Sequence, residues 1–260
     1  MEIRPVPEIG SVAVIGGSGR MGRLFVRRSA DAGVEAHAVD RPLTDEGLAQ
    51  GLADVDLVLL SVPAQAVAEV AALAAAHMRP GQILADVTSV KVKPMARMLA
   101  AWDGPVVGTH PLFGPDGGPD GAGRVAVCRG RDAGAALAVA KWFHAMGFEV
   151  FEARAEDHDR AVARIQGLNF VTTVAYLAAL ADQPEILDFV TPSFTRRLEA
   201  ARKMLTEDDR LFVTLFDANP YGQEAVRLYR SMLNIAAGGD VELLAERAKW
   251  WWRSSDPDDA

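Results

Sequence analysis

Short apolar runs alternate with longer, alanine-rich stretches through the first half of the chain. Ser11–Ile15, Val34–Val39, Val55–Val62, Ile83–Val87, Pro105–Gly108, Val125–Cys128 and Glu149–Glu152 have the length and β-branched character of strands. Val55–Val62 (VDLVLLSV) is a nearly continuous apolar run, as expected of a strand covered on both faces. Met21–Ala32, Ala64–His77, Lys93–Trp102 and Ala133–Met146 lie between them and are long enough for helices. Strands alternating with helices predict βαβ units and a mostly parallel sheet.

The pattern changes near Ala153. Helical periodicity then runs through His158–Leu180, Glu185–Phe189, Pro192–Leu205, Asp209–Phe216, Gln223–Gly238 and Asp240–Trp252, with no β-rich run. The expected organisation is a Rossmann-type α/β domain over residues 1–153 and an all-α domain over 154–260. No internal repeat is present. Gly114–Gly123 is too rich in glycine and proline for helix or strand and reads as a loop, either a plain connection or a mobile rim. The tail Ser254–Ala260 is polar and acidic and reads as frayed.

Composition narrows the function classes. The formal net charge of −8 argues against a nucleic-acid partner, which usually demands a basic patch. No apolar run is long enough for a membrane span, and Met1–Gly10 lacks the apolar core of a secretory signal. The single cysteine, Cys128, forms no intramolecular disulfide and no cysteine-rich zinc site, and reads as a small buried hydrophobe. These features together suggest a cytoplasmic protein with no structural metal.

The first predicted strand runs into Gly16-Gly17-Ser18-Gly19-Arg20-Met21-Gly22 and then a helix. Gly17, Gly19 and Gly22 make the GxGxxG pattern, and the strand–turn–helix setting gives it weight. Gly17 permits the tight turn, Gly19 lets backbone approach a pyrophosphate, and Gly22 lets helix and strand pack closely. Asp40 closes the second strand, where an acid binds ribose hydroxyls and repels a 2′-phosphate, which favours NAD. The adjacent Arg41 leaves NADP open.

Two further segments end on predicted strands, where ligands bind in open α/β sheets. They are Asp86–Lys91 (DVTSVK) and Gly108–Asp116 (GTHPLFGPD). His110 is the acid/base candidate, because a neutral imidazole takes up an alcohol proton as hydride leaves carbon. Ser89 reads either as a partner of His110 and a nicotinamide or as a helix N-cap. Lys91 reads as a surface lysine. His158, between Asp157 and Asp159, reads as a cap or a domain-junction hydrogen bond.

Several of these segments together resemble a known family. GGSGRMGRLF at 16–25, SVP at 61–63, DVTSVK at 86–91, DGPVVGTHPLFGPD at 103–116 and EDHDRAVARIQGL at 156–168 are similar to the prephenate dehydrogenases. The likeness is strongest to the dehydrogenase part of bifunctional chorismate mutase–prephenate dehydrogenase, and it runs from about Ser11 to Trp252. It implies an α-helical domain that forms a homodimer, and NAD-dependent oxidative decarboxylation of prephenate to 4-hydroxyphenylpyruvate. His110 falls on the family's catalytic histidine and Ser89 on the serine that links it to the nicotinamide. The implied cofactor contacts are Gly17, Gly19, Arg20, Met21, Gly22, Asp40 and Val62. The implied substrate contacts are Gln166 and, for the ring carboxylate, Lys203 or Arg202. Two positions depart from the pattern: Phe170 stands where a histidine is common, and Lys203 where an arginine holds the ring carboxylate.

Those departures keep arogenate and 4-amino-4-deoxyprephenate as alternative substrates. A non-catalytic NAD-binding module is the alternative outside enzymology, since fold does not dictate function. Trp250, Trp251 and Trp252 read as packing or dimer contacts.

Overall fold

The computed structural model describes residues 8–116 and 123–252. Positions 117–122 of the glycine- and proline-rich loop, the tail Ser254–Ala260 and the first seven residues lie outside the described residues.

Seven strands form one sheet: β1 (Ser11–Ile15), β2 (Glu35–Val39), β3 (Leu57–Leu60), β4 (Ile83–Asp86), β5 (Val106–Pro111), β6 (Arg124–Arg129) and β7 (Glu149–Glu152). Their order is β2-β1-β3-β4-β5-β6-β7. Strands β1 to β5 are mutually parallel, β6 pairs antiparallel with β5, and β7 pairs parallel with β6. The sheet is therefore mostly parallel and Rossmann-like. The order reverses between β1 and β3, which opens a crevice at their carboxyl ends. Strand β5 runs three residues beyond the sequence expectation because antiparallel pairing with β6 carries it through His110↔Ala126 to Pro111.

Alternating strand residues feed two separate cores, as the two-residue period of a strand requires. On one face Val12, Val14, Leu57, Leu59, Ile83 and Val107 meet Phe25 of α1 (Arg20–Asp31) and Trp142 and Phe143 of α5 (Ala133–Ala145). On the other, Ala13, Ile15, Val58, Leu60, Leu84 and Val106 meet three helices. These are α2 (Asp45–Leu52), α3 (Val67–Ala75) and α4 (Val92–Ala101). Each fully buried Val, Leu or Ile side chain contributes about 1.5–3 kcal/mol, so the two faces fix the register of the strand ends.

Beyond β7 the described chain is helical: α6 (Ala155–Val162), a π-helical turn at Ala163–Gly167, α7 (Leu168–Ala178), α8 (Pro192–Thr206), α9 (Asp209–Ala218), α10 (Gly222–Ala237) and α11 (Val241–Ala248). The expected single helix His158–Leu180 is thus two helices joined through a π-turn. Two compact units result. The sheet unit continues through α6 to Val162 and takes in Asp217–Pro220; the helical unit begins at Ala163 and resumes at Tyr221. The sheet unit extends past residue 153 because α6 turns His158 and Asp159 inward, both buried. Within the helical unit, Phe170 is buried and stacks on Phe212, with centroids 5.4 Å apart. No helix among the described residues is long and apolar enough to cross a membrane.

Candidate active site

The glycine turn leaves β1 at its carboxyl end and opens α1. Gly16 has φ +84°, and a Cβ there would lie 2.4 Å from the Ser61 carbonyl. The positive-φ position is therefore Gly16, one residue before the one sequence reasoning assigned to the tight turn. Gly17 is pressed instead against Ala38 of β2. At Gly22 a Cβ would meet backbone atoms of Gly16 and Gly17, which makes it the close contact between α1 and the turn. Gly19 is exposed and is the N-cap of α1, which no side chain caps.

These features fit a dinucleotide pyrophosphate. An uncapped helix N-terminus presents backbone N–H groups and a positive dipole end to an anion, and the bare Gly19 backbone allows close approach. Asp40 follows β2, and its carboxylate accepts from the Ser18 amide (3.1 Å) and hydroxyl (2.7 Å), which holds it beside the turn. Val62, just past β3, borders Gly16. Met21 packs into the core below the turn, and Arg20 is exposed. The turn thus brings Gly17, Gly19, Arg20, Met21, Gly22, Asp40 and Val62 to one end of the sheet.

The same sheet end carries β4 and β5. Lys91, expected at the surface, is fully buried. Its ammonium donates to Asp86 Oδ2 and to the Thr109 carbonyl, each at 2.5 Å. Asp86 Oδ2 also accepts from the Thr88 amide at 3.0 Å and from the Thr88 hydroxyl. Oδ1 of Asp86 is buried with no hydrogen-bond partner among the described residues. The lysine is internal because a buried carboxylate at the strand end demands a cation. A buried partner for that cation lay five residues upstream, in Asp86.

His110 is 3% exposed, and its Nδ1 lies 2.8 Å from Nε2 of His158. The rings meet edge to face. His158 Nδ1 lies 2.8 Å from Asp159 Oδ1. Asp159 is completely buried; Oδ1 accepts from the Lys91 amide (2.7 Å) and Oδ2 from the Val92 amide (2.9 Å), at the start of α4. Asn219 Nδ2 donates to the Asp159 carbonyl at 2.8 Å. Burial holds the His110 pKa well below the ordinary 6.5, and the neighbouring His158 and Lys91 push it the same way. An imidazole in that setting is a neutral proton acceptor at physiological pH.

Ser89 is half-buried in the β4–α4 connection. Among the described residues no hydrogen bond joins it to His110, whose Nδ1 is engaged by His158. Nor is it the N-cap of α4, a position held by Lys91 and served by Asp159. His158 and Asp159 were missed as site residues, and the signal for them was the acid-flanked histidine of Asp157-His158-Asp159. Gln166 lies half-buried in the π-turn of the helical unit, and Arg202 and Lys203 are exposed on α8. Cys128 is buried, and burial pushes its thiol up to about 12, so it is an inert core residue.

Comparison with known proteins adds sequence and fold relatives. Residues 20–126 match the family described as prephenate dehydrogenase, nucleotide-binding domain. The T-protein of Enterobacter agglomerans is 30% identical over 228 residues, which cover 86% of this chain and 60% of that protein. The chain thus spans less than two thirds of that relative's length. A 4-amino-4-deoxyprephenate dehydrogenase of Streptomyces pristinaespiralis is 28% identical over 264 residues, covering 91% of this chain and 88% of that protein. Among solved structures, prephenate dehydrogenase from A. aeolicus, in complex with hydroxyphenyl propionate and NAD+, superposes with a TM-score of 0.74. It shares 18% identity and covers 94% of this chain and 96% of its own. At that identity the superposition speaks for the fold.

Proposed function

We propose that this member of the prephenate dehydrogenase family is a cytoplasmic NAD-dependent enzyme that converts prephenate to 4-hydroxyphenylpyruvate and carbon dioxide. The observation that carries this reading is His110: a buried imidazole held neutral at the sheet end that also bears the glycine turn. Gly19, the α1 N-terminus and Asp40 hold the dinucleotide, and the Asp40 carboxylate favours NAD over NADP. When bound, NAD supplies the acceptor for the hydride that leaves the hydroxyl-bearing ring carbon.

His110 takes the hydroxyl proton as that hydride departs. Loss of the ring carboxylate as carbon dioxide returns an electron pair to the ring, and His110 gives the proton back to the phenolic oxygen. Aromatisation drives the step, so the protein supplies a base, orientation and exclusion of water. Ser89, on the connection after β4, is proposed to orient the nicotinamide. Arg202 or Lys203 is proposed to meet a substrate carboxylate, with Gln166 as a neutral donor; a lysine there offers a point charge where an arginine would offer a fork.

A second copy of the chain is the proposed partner. The helical unit exposes Phe189 (81%), Leu187 (67%) and Trp252 (80%), apolar side chains that a second copy would cover. Light scattering at micromolar concentration should give a dimer mass, and a monomer mass would remove this part of the proposal.

The deciding assay follows NADH formation by the purified chain with NAD and, in parallel, prephenate, arogenate or 4-amino-4-deoxyprephenate. Turnover of prephenate in preference to both amines is expected. His110→Asn should retain NAD affinity and lose roughly 100- to 10,000-fold in turnover. Turnover of an amine alone would replace the substrate. NAD binding with no turnover of any of the three would overturn the enzymatic reading in favour of a binding module.

A further inference from the structure

We propose that Asp159 and His158 are positioning residues that lock His110 into the tautomer with its proton on Nδ1, leaving Nε2 as the basic nitrogen. The role of that nitrogen in turnover rests on the reading above; the tautomer itself does not.

With both imidazoles neutral, the chain of hydrogen bonds leaves one consistent arrangement. Asp159 is fixed first. Its two oxygens accept from the Lys91 and Val92 amides at the start of α4, the helix end that favours a carboxylate. The Asn219 side chain holds its carbonyl, so the backbone at this point is also tied. An ionised carboxylate only accepts. His158 Nδ1, 2.8 Å away, is therefore the N–H donor. A neutral imidazole carries one N–H, so His158 Nε2 holds a lone pair. That lone pair faces His110 Nδ1 at 2.8 Å, which places the His110 proton on Nδ1. His110 Nε2 then carries the lone pair, and it has no hydrogen-bond partner among the described residues.

Burial makes the assignment rigid. His110 and His158 are 3% and 5% exposed, and Asp159 is not exposed at all, so little water competes for the contacts that join the three side chains. A free histidine side chain prefers its proton on Nε2, and in that form His110 would present an N–H, not a base, on that nitrogen. The relay also explains why an otherwise polar segment folds inward: α6 delivers His158 and Asp159 together, one to the base and the other to the start of α4.

The test is 15N NMR of the imidazole nitrogens in the full chain labelled at histidine, with and without NAD, His110 and His158 being assigned from variants. Wild-type His110 should show a protonated Nδ1 and an unprotonated Nε2. His158→Phe removes the acceptor, and His110 should move toward the Nε2–H form while NAD affinity is retained. Its kcat should fall roughly 100-fold, with KM for prephenate changed far less, because a misoriented base slows the chemical step. His158→Gln, which restores an acceptor oxygen, should recover part of both the tautomer and kcat. A protonated Nε2 in wild-type His110, or a His110 tautomer unmoved in His158→Phe, would overturn the relay even if prephenate turns over. The predicted tautomer in a protein that does not oxidise prephenate would leave the relay standing and refute the proposed reaction.

Discussion

Lys91→Met tests whether the buried ion pair is as dry as it looks. Both side chains of the Lys91–Asp86 pair are fully buried. Removing the ammonium leaves a carboxylate whose Oδ2 keeps the Thr88 donors and whose Oδ1 has no partner. Deleting one member of a buried pair costs ~3–5 kcal/mol, because the remaining charge is stranded. The retained Thr88 contacts argue for the lower end, about 3 kcal/mol, a large share of the ~5–15 kcal/mol that holds a typical domain folded. Amide hydrogen exchange along β4 and β5 is the suitable assay, since it reads the opening free energy of those strands without involving the helical unit. Adding Asp86→Asn, which removes the stranded charge and keeps an acceptor for Thr88, should restore most of the loss. A change below about 1 kcal/mol, the size typical of a solvated surface pair, would refute the reasoning. So would a double variant no more stable than Lys91→Met. Lys91 also helps to hold the His110 pKa down, so the single variant should move the acid limb of kcat/KM to higher pH.

Other sites give more direct outcomes. In Gly22→Ala the new methyl would lie 2.2 Å from the Gly16 carbonyl oxygen and 2.7 Å from Gly17 Cα, neither of which can move without shifting the turn. Strain of ~1–3 kcal/mol at this turn should weaken NAD binding about tenfold or more by calorimetry, and an unchanged Kd would count against the cradle. Because His110 titrates well below 6.5 and acts unprotonated, kcat/KM should stay level as pH falls through 6.5 and drop only in more acid solution. The linked stability has a definite sign. Below 6.5 the unfolded chain binds the proton that folded His110 refuses, so stability falls from there down to the folded pKa and is unaffected above it; His110→Asn should flatten that slope in denaturant titrations. Lys203→Ala or Arg202→Ala should raise KM for prephenate severalfold with NAD affinity unchanged, and a KM unmoved in both would remove these cations from substrate binding.

What the sequence made legible follows from how far apart the interacting residues lie. The apolar strands and the glycine turn are specified locally, by runs of four to eight residues and by a three-glycine spacing, and their positions could be read directly. Helix α2 was not, because it contains Gly47 and Gly51 and buries only Leu48 and Leu52, too little for a periodic pattern. The larger omissions share a different cause. Lys91, His158 and Asp159 are buried, yet each is polar or charged, and their partners stand up to 68 residues away. A reading that takes hydrophobicity as the mark of the interior assigns such residues to solvent, and α6 looked like the polar start of a separate domain for that reason. Buried polar groups are ordinarily hydrogen-bonded, and here His158 and Asp159 belong to one connected set running from Asn219 through Asp159 and His158 to His110. Fold stability alone gives no reason to build that set, since apolar side chains of similar volume would serve the packing as well. Its cost is understandable if one imidazole nitrogen must be kept free of a proton at the sheet end where the dinucleotide is expected.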